Sequence, residues 1–357
     1  MHKKTFYVIG IMSGTSLDGV DIALCKFEKD INWKYQIIHA KTYSYDKNWY
    51  QKLSEANNLS AFDFIKLHKE YGKYLGQLTN KFIKEHRISN VDLISSHGHT
   101  IFHSPDEHLN FQIGDGAFIA AETQITTVSD FRTLDIALDG QGAPLVPIGD
   151  ELLFSNYNFC LNIGGFSNIS FKENQHRISF YICPSNIILN YLANKLNIPF
   201  DKDGKVSRTG KIQYRLLEKL NNLDYYKKTP PKSLGKEWFE KFFLPIIDSY
   251  SCSVEDKLAT CIEHIATQIV KYTKNGTLLI TGGGAYNKHL IEKITHYSNC
   301  EIIIPEKFIV EFKESLIFAF LGLLRWMKET NVLKSVTGAK QNSVSGIIHI
   351  MKKATFF

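Results

Sequence analysis

Three glycine runs, each placed directly after a short apolar stretch, constrain this chain more than any other feature. The string GIMSGTSLDGVD (residues 10–21) follows a β-patterned segment at residues 6–12. Gly164-Gly165 follows residues 158–163, and Gly282-Gly283-Gly284 follows residues 277–281. After the first run, Val20, Ile22 and Leu24 alternate with Asp21, Ala23 and Cys25, the two-residue period of a strand. Residues 35–43 predict a third strand. Ser60 is placed to cap a helix reaching residue 86, with Ile65, Tyr71, Leu75, Leu78 and Phe82 at helical spacing. Residues 91–96 predict a strand that ends in a loop, His97-Gly98-His99-Thr100.

The succession then recurs. Strands are predicted at 158–163, 169–171 and 178–183, then a helix at 184–196 with Pro184 at its start, a helix at 257–274 and a strand at 277–281. Strands joined tightly pair antiparallel, and strands entered from helices pair parallel. The expectation is therefore a duplicated α/β fold with a mixed sheet in each half. The seam falls between residues 147 and 158, giving lobes 1–150 and 151–357 with a cleft between them. At 357 residues, two domains are the natural division.

Charge and apolar runs exclude several classes. Lys and Arg number 42 against 36 Asp and Glu, a net +6 scattered along the chain, so no nucleic-acid stripe is expected. The apolar run 315–327 is too short for a bilayer and carries Arg325, so no membrane role is expected. Six cysteines lack zinc or redox spacing and read as reduced thiols in a cytoplasmic protein.

The first glycine run matches neither the P-loop nor the dinucleotide fingerprint. Its glycines bring backbone N–H groups close to an anion, its hydroxyls add donors, and Asp18 and Asp21 are oxygen ligands suited to Mg²⁺. Gly164, Gly165, Gly282, Gly283 and Gly284 suit a nucleotide held between two lobes. A second polar cluster holds SHGHT (96–100), QIGD (112–115), SDFR (129–132) and GQGAP (140–144). Its amides and carboxylates can grip sugar hydroxyls, and Arg132 can meet a carboxylate bidentately. The histidines 97, 99 and 103 are read as polar loop or core residues ahead of a zinc set. No GxSxG elbow supports a serine hydrolase.

GIMSGTSLDGVD, SHGHTIFHSP, FQIGDGAFIA, VSDFR, DGQGAPLVP, LNIGGFSNISF and TGGGAYNKHL occur in the order found in the anhydro-N-acetylmuramic acid kinase family. PPKSLGKEWF, KESLIFAFLG and SVTGAKQ extend the resemblance to the C-terminal region. It implies duplicated ribonuclease H-like, actin-like ATPase domains with mixed five-stranded sheets and an interdomain cleft. It implies ATP and Mg²⁺ as cofactors and a small anhydro amino sugar as substrate, with water opening the 1,6-anhydro ring while the sugar 6-oxygen takes the γ-phosphoryl group. It allows a homodimer, of which the residues give no direct sign.

By the same resemblance, Gly14, Thr15, Ser16, Leu17, Asp18, Gly19, Val20 and Asp21 form the ATP phosphate loop, and Gly282 to Gly284 with Asn287 lie toward the nucleotide. His97, Gln112, Asp115, Arg132 and Gln141 fall on the sugar side. The family's water-activating aspartate, in a stretch like DTGPGN, falls here on Tyr181 of YICPSN. A phenol titrating near pH 10 is a poor base for water at neutral pH. Asp130, Asp135 and Glu314, the last matching a family glutamate, are candidate substitute bases. The alternative is an impaired relative that binds ATP or the sugar as a sensor.

Overall fold

The computed structural model describes residues 5–14, 17–230 and 232–351, so Thr15 and Ser16 lie outside the described residues. The chain divides into two compact units: residues 1–153 with 312–357, and residues 154–311.

In the first unit, β1 (Thr5–Ser13), β2 (Gly19–Lys29) and β3 (Trp33–Ser44) form an antiparallel meander. β4 (Leu93–Ser104) pairs parallel to β1, and β6 (Thr127–Ser129) parallel to β4. In the second, β7 (Phe159–Ile163), β8 (Phe166–Glu173) and β9 (His176–Pro184) repeat the meander. β10 (Gly276–Thr281) then pairs parallel to β7, and β11 (Cys300–Ile303) parallel to β10. The strand orders β3-β2-β1-β4-β6 and β9-β8-β7-β10-β11 are thus one topology written twice. The first sheet grows to seven strands by adding β5 (Leu109–Ile113) against β4 and β12 (Ile347–His349) against β6.

Alternation sets the faces. Ile9, Ile11, Val20, Ile22 and Leu24 join Tyr71, Leu75 and Phe82 of the helix Ala61–Glu85 in one core. Leu161, Ile163, Ile169, Phe180 and Ile182 join Leu258, Ile262 and Ile265 in the other. Ser60 caps the long helix, its Oγ accepting from Asp63 N at 3.2 Å. The buried stripe starts at Leu67, whereas Ile65, placed on it by spacing, is exposed.

Three expectations are corrected. The C-terminal segment from residue 312 belongs to the first unit, not the second. The helix Lys307–Trp326 kinks at Phe312, and beyond the kink a Cβ at Gly10 of β1 would lie 2.0 Å from Ser315 O. Only a bare glycine permits that approach. Residues 97–100 are part of β4, because β5 pairs with them. Pro184 ends β9, and the helix starts at Asn186.

Candidate functional site

A bulge in β4 organises the first unit's polar residues. Pairing moves from Ile11↔Ser96 to Ser13↔His99, so His97 and Gly98 together oppose Met12. Gly98 sits at φ +73°, where an added Cβ would lie 2.5 Å from Ile113 O. The extra residue sends the two histidines to different partners. His97 Nε2 accepts from Arg132 Nε at 3.1 Å and lies 2.8 Å from Nη2, while its Nδ1 donates to Gly98 O at 2.9 Å. Burial, then the Arg132 charge, hold His97 neutral, well below the usual imidazole pKa. His99 Nδ1 instead meets Ser13 Oγ at 2.8 Å, and burial pushes His99 down to about 4.

His97, Gln112, Asp115 and Asp130, all expected from sequence, line one cavity of about 290 Å³ with His68 and His349, which were not expected. Gln112 Nε2 donates to Thr100 Oγ1 at 3.3 Å and Asn110 Oδ1 at 2.5 Å. Asp115 caps the helix Gly116–Thr123, accepting from Ala117 N at 2.8 Å, and its other oxygen accepts from Lys69 Nζ. Burial alone would raise the Asp115 carboxyl; the bonds from Lys69 and Ala117 outweigh it and hold the group below its ordinary value. His68 Nδ1 accepts from Gly114 N at 3.1 Å, and burial lowers the pKa of both His68 and His349. Asp130 adopts φ +57° and accepts from Thr133 N at 3.2 Å. Such a cavity can hydrogen-bond a polyhydroxylated ligand from several sides. Arg132 backs His97 from behind the lining and donates to Gly142 O at 2.5 Å. The Gln141 side chain is exposed and outside the lining. Asp135 is buried, accepting from Gly142 N and Thr337 Oγ1, both at 2.8 Å, which is a structural role.

The glycine loop of this unit begins at Gly14, whose carbonyl accepts from Leu17 N at 3.4 Å, with Leu17 at φ +58°. Gly19 and Val20 are buried, and Asp18 is exposed. Asp21 Oδ1 accepts from Thr42 Oγ1 at 2.5 Å. Glu314 is reachable by solvent yet closely walled by protein. Burial first, then the Asp21 charge, raise its carboxyl, while Arg132 and Lys313 oppose. Among the described residues no three His, Cys, Asp or Glu side chains gather as a metal site. Two carboxylates near a loop fit Mg²⁺, a cation that takes one or two protein carboxylates and completes its shell with phosphates and water.

In the second unit, Asn162 of β7 and Thr281 of β10 are ladder partners, so the second and third glycine runs stand side by side at the carboxyl ends of parallel strands. Ligands of α/β proteins bind at such ends. Gly165 O accepts from Ser185 N at 2.8 Å and Ile187 N at 3.2 Å, and Gly164 O from Asn186 N at 3.1 Å. Gly282 adopts φ +82°. Gly283 lies beside Asn186, and Asn287 caps the helix Lys288–Tyr297, accepting from Leu290 N at 3.1 Å.

Tyr181 lies on β9 beside a bulge at Ile182. Its N–H donates to Lys232 O at 3.3 Å and its carbonyl accepts from Tyr225 OH at 2.5 Å. Sequence reasoning missed Lys232. Its ammonium donates to Tyr272 OH at 2.8 Å and sits 4.8 Å from the Tyr225 ring centre, and burial lowers its pKa. Its place in PPKS was the only available signal.

One five-strand topology written twice, with glycine loops at the ends of parallel strands, defines a duplicated ribonuclease H-like protein. The chain belongs to the anhydro-N-acetylmuramic acid kinase family, whose sequence model matches residues 6–351. It is similar to the anhydro-N-acetylmuramic acid kinase of Bacillus thuringiensis subsp. konkukian (strain 97-27), at 32% identity over 96% of this chain and 98% of that one. The Bacillus cereus (strain ATCC 10987 / NRS 248) enzyme of the same name is 33% identical over 96% and 98%. Among solved structures, the activator of the 2-hydroxyisocaproyl-CoA dehydratase from Clostridium difficile with bound ADPNP aligns at TM-score 0.44 and 11% identity, covering 90% of this chain and 96% of that one. A ROK family glucokinase from Streptomyces griseus aligns at 0.40 and 8%, over 89% and 99%. Among the described residues, no helix is long and apolar enough to cross a membrane.

Proposed function

We propose that this chain is an ATP-dependent kinase that opens 1,6-anhydro-N-acetylmuramic acid with water and yields N-acetylmuramic acid 6-phosphate. The observation that carries this reading is the family match over residues 6–351, and it is supported by three of the five expected sugar-side residues, His97, Gln112 and Asp115, lining one cavity with the candidate base Asp130. Gln112, Asp115, Asp130 and His97 hold and orient the sugar. The neutral His97 imidazole, fixed by Arg132, keeps its polarity without adding charge.

The backbone amides of the Gly164-Gly165 and Gly282–Gly284 runs, side by side in the second unit, receive the phosphates of ATP. Asp18 and Asp21 would hold Mg²⁺, which, when bound, neutralises charge on the transferring phosphoryl group. In the reaction, water oxygen bonds to the anomeric carbon and the bond from that carbon to the 6-oxygen breaks. The 6-oxygen bonds to the γ-phosphorus as the bond to ADP breaks, and the water proton passes to a base. Two carboxylates are candidates for that base: Glu314, whose carboxyl burial raises, and Asp130, which lines the cavity and has one oxygen accepting from Thr133 N.

Tyr181 supports a second reading, an impaired relative that binds ATP or sugar as a sensor, because a phenol stands where the family places its aspartate. One experiment separates them: mass spectrometry of the anhydro sugar incubated with protein, Mg-ATP and oxygen-18 water. Added phosphate mass plus one labelled oxygen supports the kinase. Calorimetric binding of ATP and sugar without product supports the sensor.

A further inference from the structure

The lining of the first unit's cavity holds more than carboxylates that can grip hydroxyls. It also holds two hydrogen-bond donors that the protein leaves unused. His68 Nδ1 accepts from Gly114 N at 3.1 Å, so the neutral ring carries its proton on Nε2. That Nε2 lies 3.7 Å from Asp115 Oδ2, beyond hydrogen-bond reach, and has no other partner among the described residues. Asn110 is 8% exposed, and its Oδ1 accepts from Gln112 while its Nδ2 is buried without a partner. Apolar surface stands beside the first donor. The Phe111 ring meets the His68 ring edge-on, with centroids 5.3 Å apart, and Ile347 of β12 lines the same cavity.

We propose that His68 is a specificity-determining residue that donates its Nε2–H to the carbonyl oxygen of the sugar's acetamido group, whose methyl rests against Phe111 and Ile347. This rests on the sugar-site reading above and deepens it. A sugar hydroxyl finds acceptors at Asp115 and Asp130, whereas an unused N–H beside apolar surface fits an acceptor that carries a methyl. The sugar's lactyl carboxylate is the other acceptor-only group. It would enter a cavity lined by two carboxylates, and a neutral His68 brings no charge to offset them. Gly114 N and the Phe111 ring fix the imidazole, so the donor is set before a ligand arrives. A site built to hydrogen-bond one substrate group rejects the analogue that lacks it.

The test is calorimetry on the whole chain with three ligands. They are 1,6-anhydro-N-acetylmuramic acid; 1,6-anhydro-N-acetylglucosamine, which lacks the lactyl carboxylate; and 1,6-anhydroglucose, which lacks the acetamido group as well. His68→Asn keeps an oxygen for Gly114 N but is too short to carry a donor to the Nε2 position, whereas the amide of His68→Gln reaches it. We expect His68→Asn to weaken both N-acetylated sugars about tenfold, the scale of one lost hydrogen bond, and His68→Gln to recover most of that. Ile347→Ala should weaken the same two about threefold through the lost methyl contact. Wild type should bind 1,6-anhydroglucose at least about tenfold more weakly, down to no measurable binding, and any measurable affinity should change less than about twofold in His68→Asn. The affinity of His68→Asn for a non-hydrolysable ATP analogue with Mg²⁺, and its thermal midpoint, should stay at wild-type values. Unchanged sugar affinity in His68→Asn would overturn this inference alone. So would a loss confined to the muramic acid sugar, which is the mark of carboxylate recognition, or all ligands weakening together with the thermal midpoint, which is the mark of a merely structural role. A wild-type protein that binds none of the three sugars overturns the sugar-site reading as well.

Discussion

Asp150 and Lys313 form an ion pair at 2.7 Å with side chains only 4% and 6% exposed. Asp150 lies on the short helix Pro147–Leu152, and Lys313 directly follows the kink at Phe312. Both stand within the first unit, close to the two places where the chain leaves and re-enters it. Desolvating two charges cancels much of their attraction, but removing one partner strands the other in protein. Lys313→Met is therefore expected to cost about 3–5 kcal/mol, read as a lower urea midpoint. Asp150→Asn with Lys313→Met should recover most of that loss. If the double variant were as unstable as the single, the stranded charge would not be the cause.

A second prediction concerns acid. His99 titrates at about 4, His264 at about 3 and His97 well below its ordinary value, all because burial disfavours the cation. An unfolded histidine takes its proton near pH 6.5. These groups are neutral in the folded state, so their contribution is fully present above about pH 6.5 and is lost as pH falls from there toward 4. Each contributes a slope approaching about 1.4 kcal/mol per pH unit in that window. Urea unfolding at pH 7.0, 6.0 and 5.0 should show this decline, and His99→Gln should flatten it by about one proton. An unchanged slope in that variant would contradict a neutral His99.

The duplicated topology was legible in sequence because glycine runs and strand alternation are local signals, and both meanders stand where residues 6–43 and 158–183 placed them. The return of residues 312–351 to the first unit was not legible. It depends on the close approach of Ser315 to Gly10, a contact between positions 305 residues apart whose only local trace is one glycine in a strand. The β4 bulge was hidden for a related reason. SHGHT looks like a loop because it is polar, yet it is a strand whose polar side chains find buried partners in Arg132 and Ser13. The polar cluster and the family resemblance also grouped Arg132 and Gln141 with the cavity residues, although neither lines it.

Two glycines of the second unit should respond oppositely to a methyl group. A Cβ at Gly284 would lie 2.1 Å from Ile163 Cγ2 in a closed core, whereas a Cβ at Gly165 meets nothing within 4 Å. Gly284→Ala is expected to destabilise by about 1–3 kcal/mol through overpacking. Gly165→Ala should leave the thermal midpoint nearly unchanged. If the open space beside Gly165 receives phosphate, that variant should still lose nucleotide affinity, read by calorimetry with Mg²⁺ and a non-hydrolysable ATP analogue. A Gly165→Ala protein of wild-type affinity would move the phosphates elsewhere.

Tyr181 supplies the sharpest test of chemistry. Its backbone is pinned on both sides, by Lys232 O and by Tyr225 OH, so a change of side chain should leave the strand in place. A carboxylate at this position would be largely ionised at pH 7, and a competent general base contributes about 10²–10⁴ in rate. Tyr181→Asp is therefore expected to raise turnover of the anhydro sugar at least about tenfold with KM for ATP little changed. Glu314→Gln in the wild-type background should lower turnover, and the same change after Tyr181→Asp should cost less, because the new carboxylate takes over the water proton. Steady-state rates of the four proteins decide the matter. Equal rates for wild type and Tyr181→Asp would show that proton removal at this position does not limit the reaction.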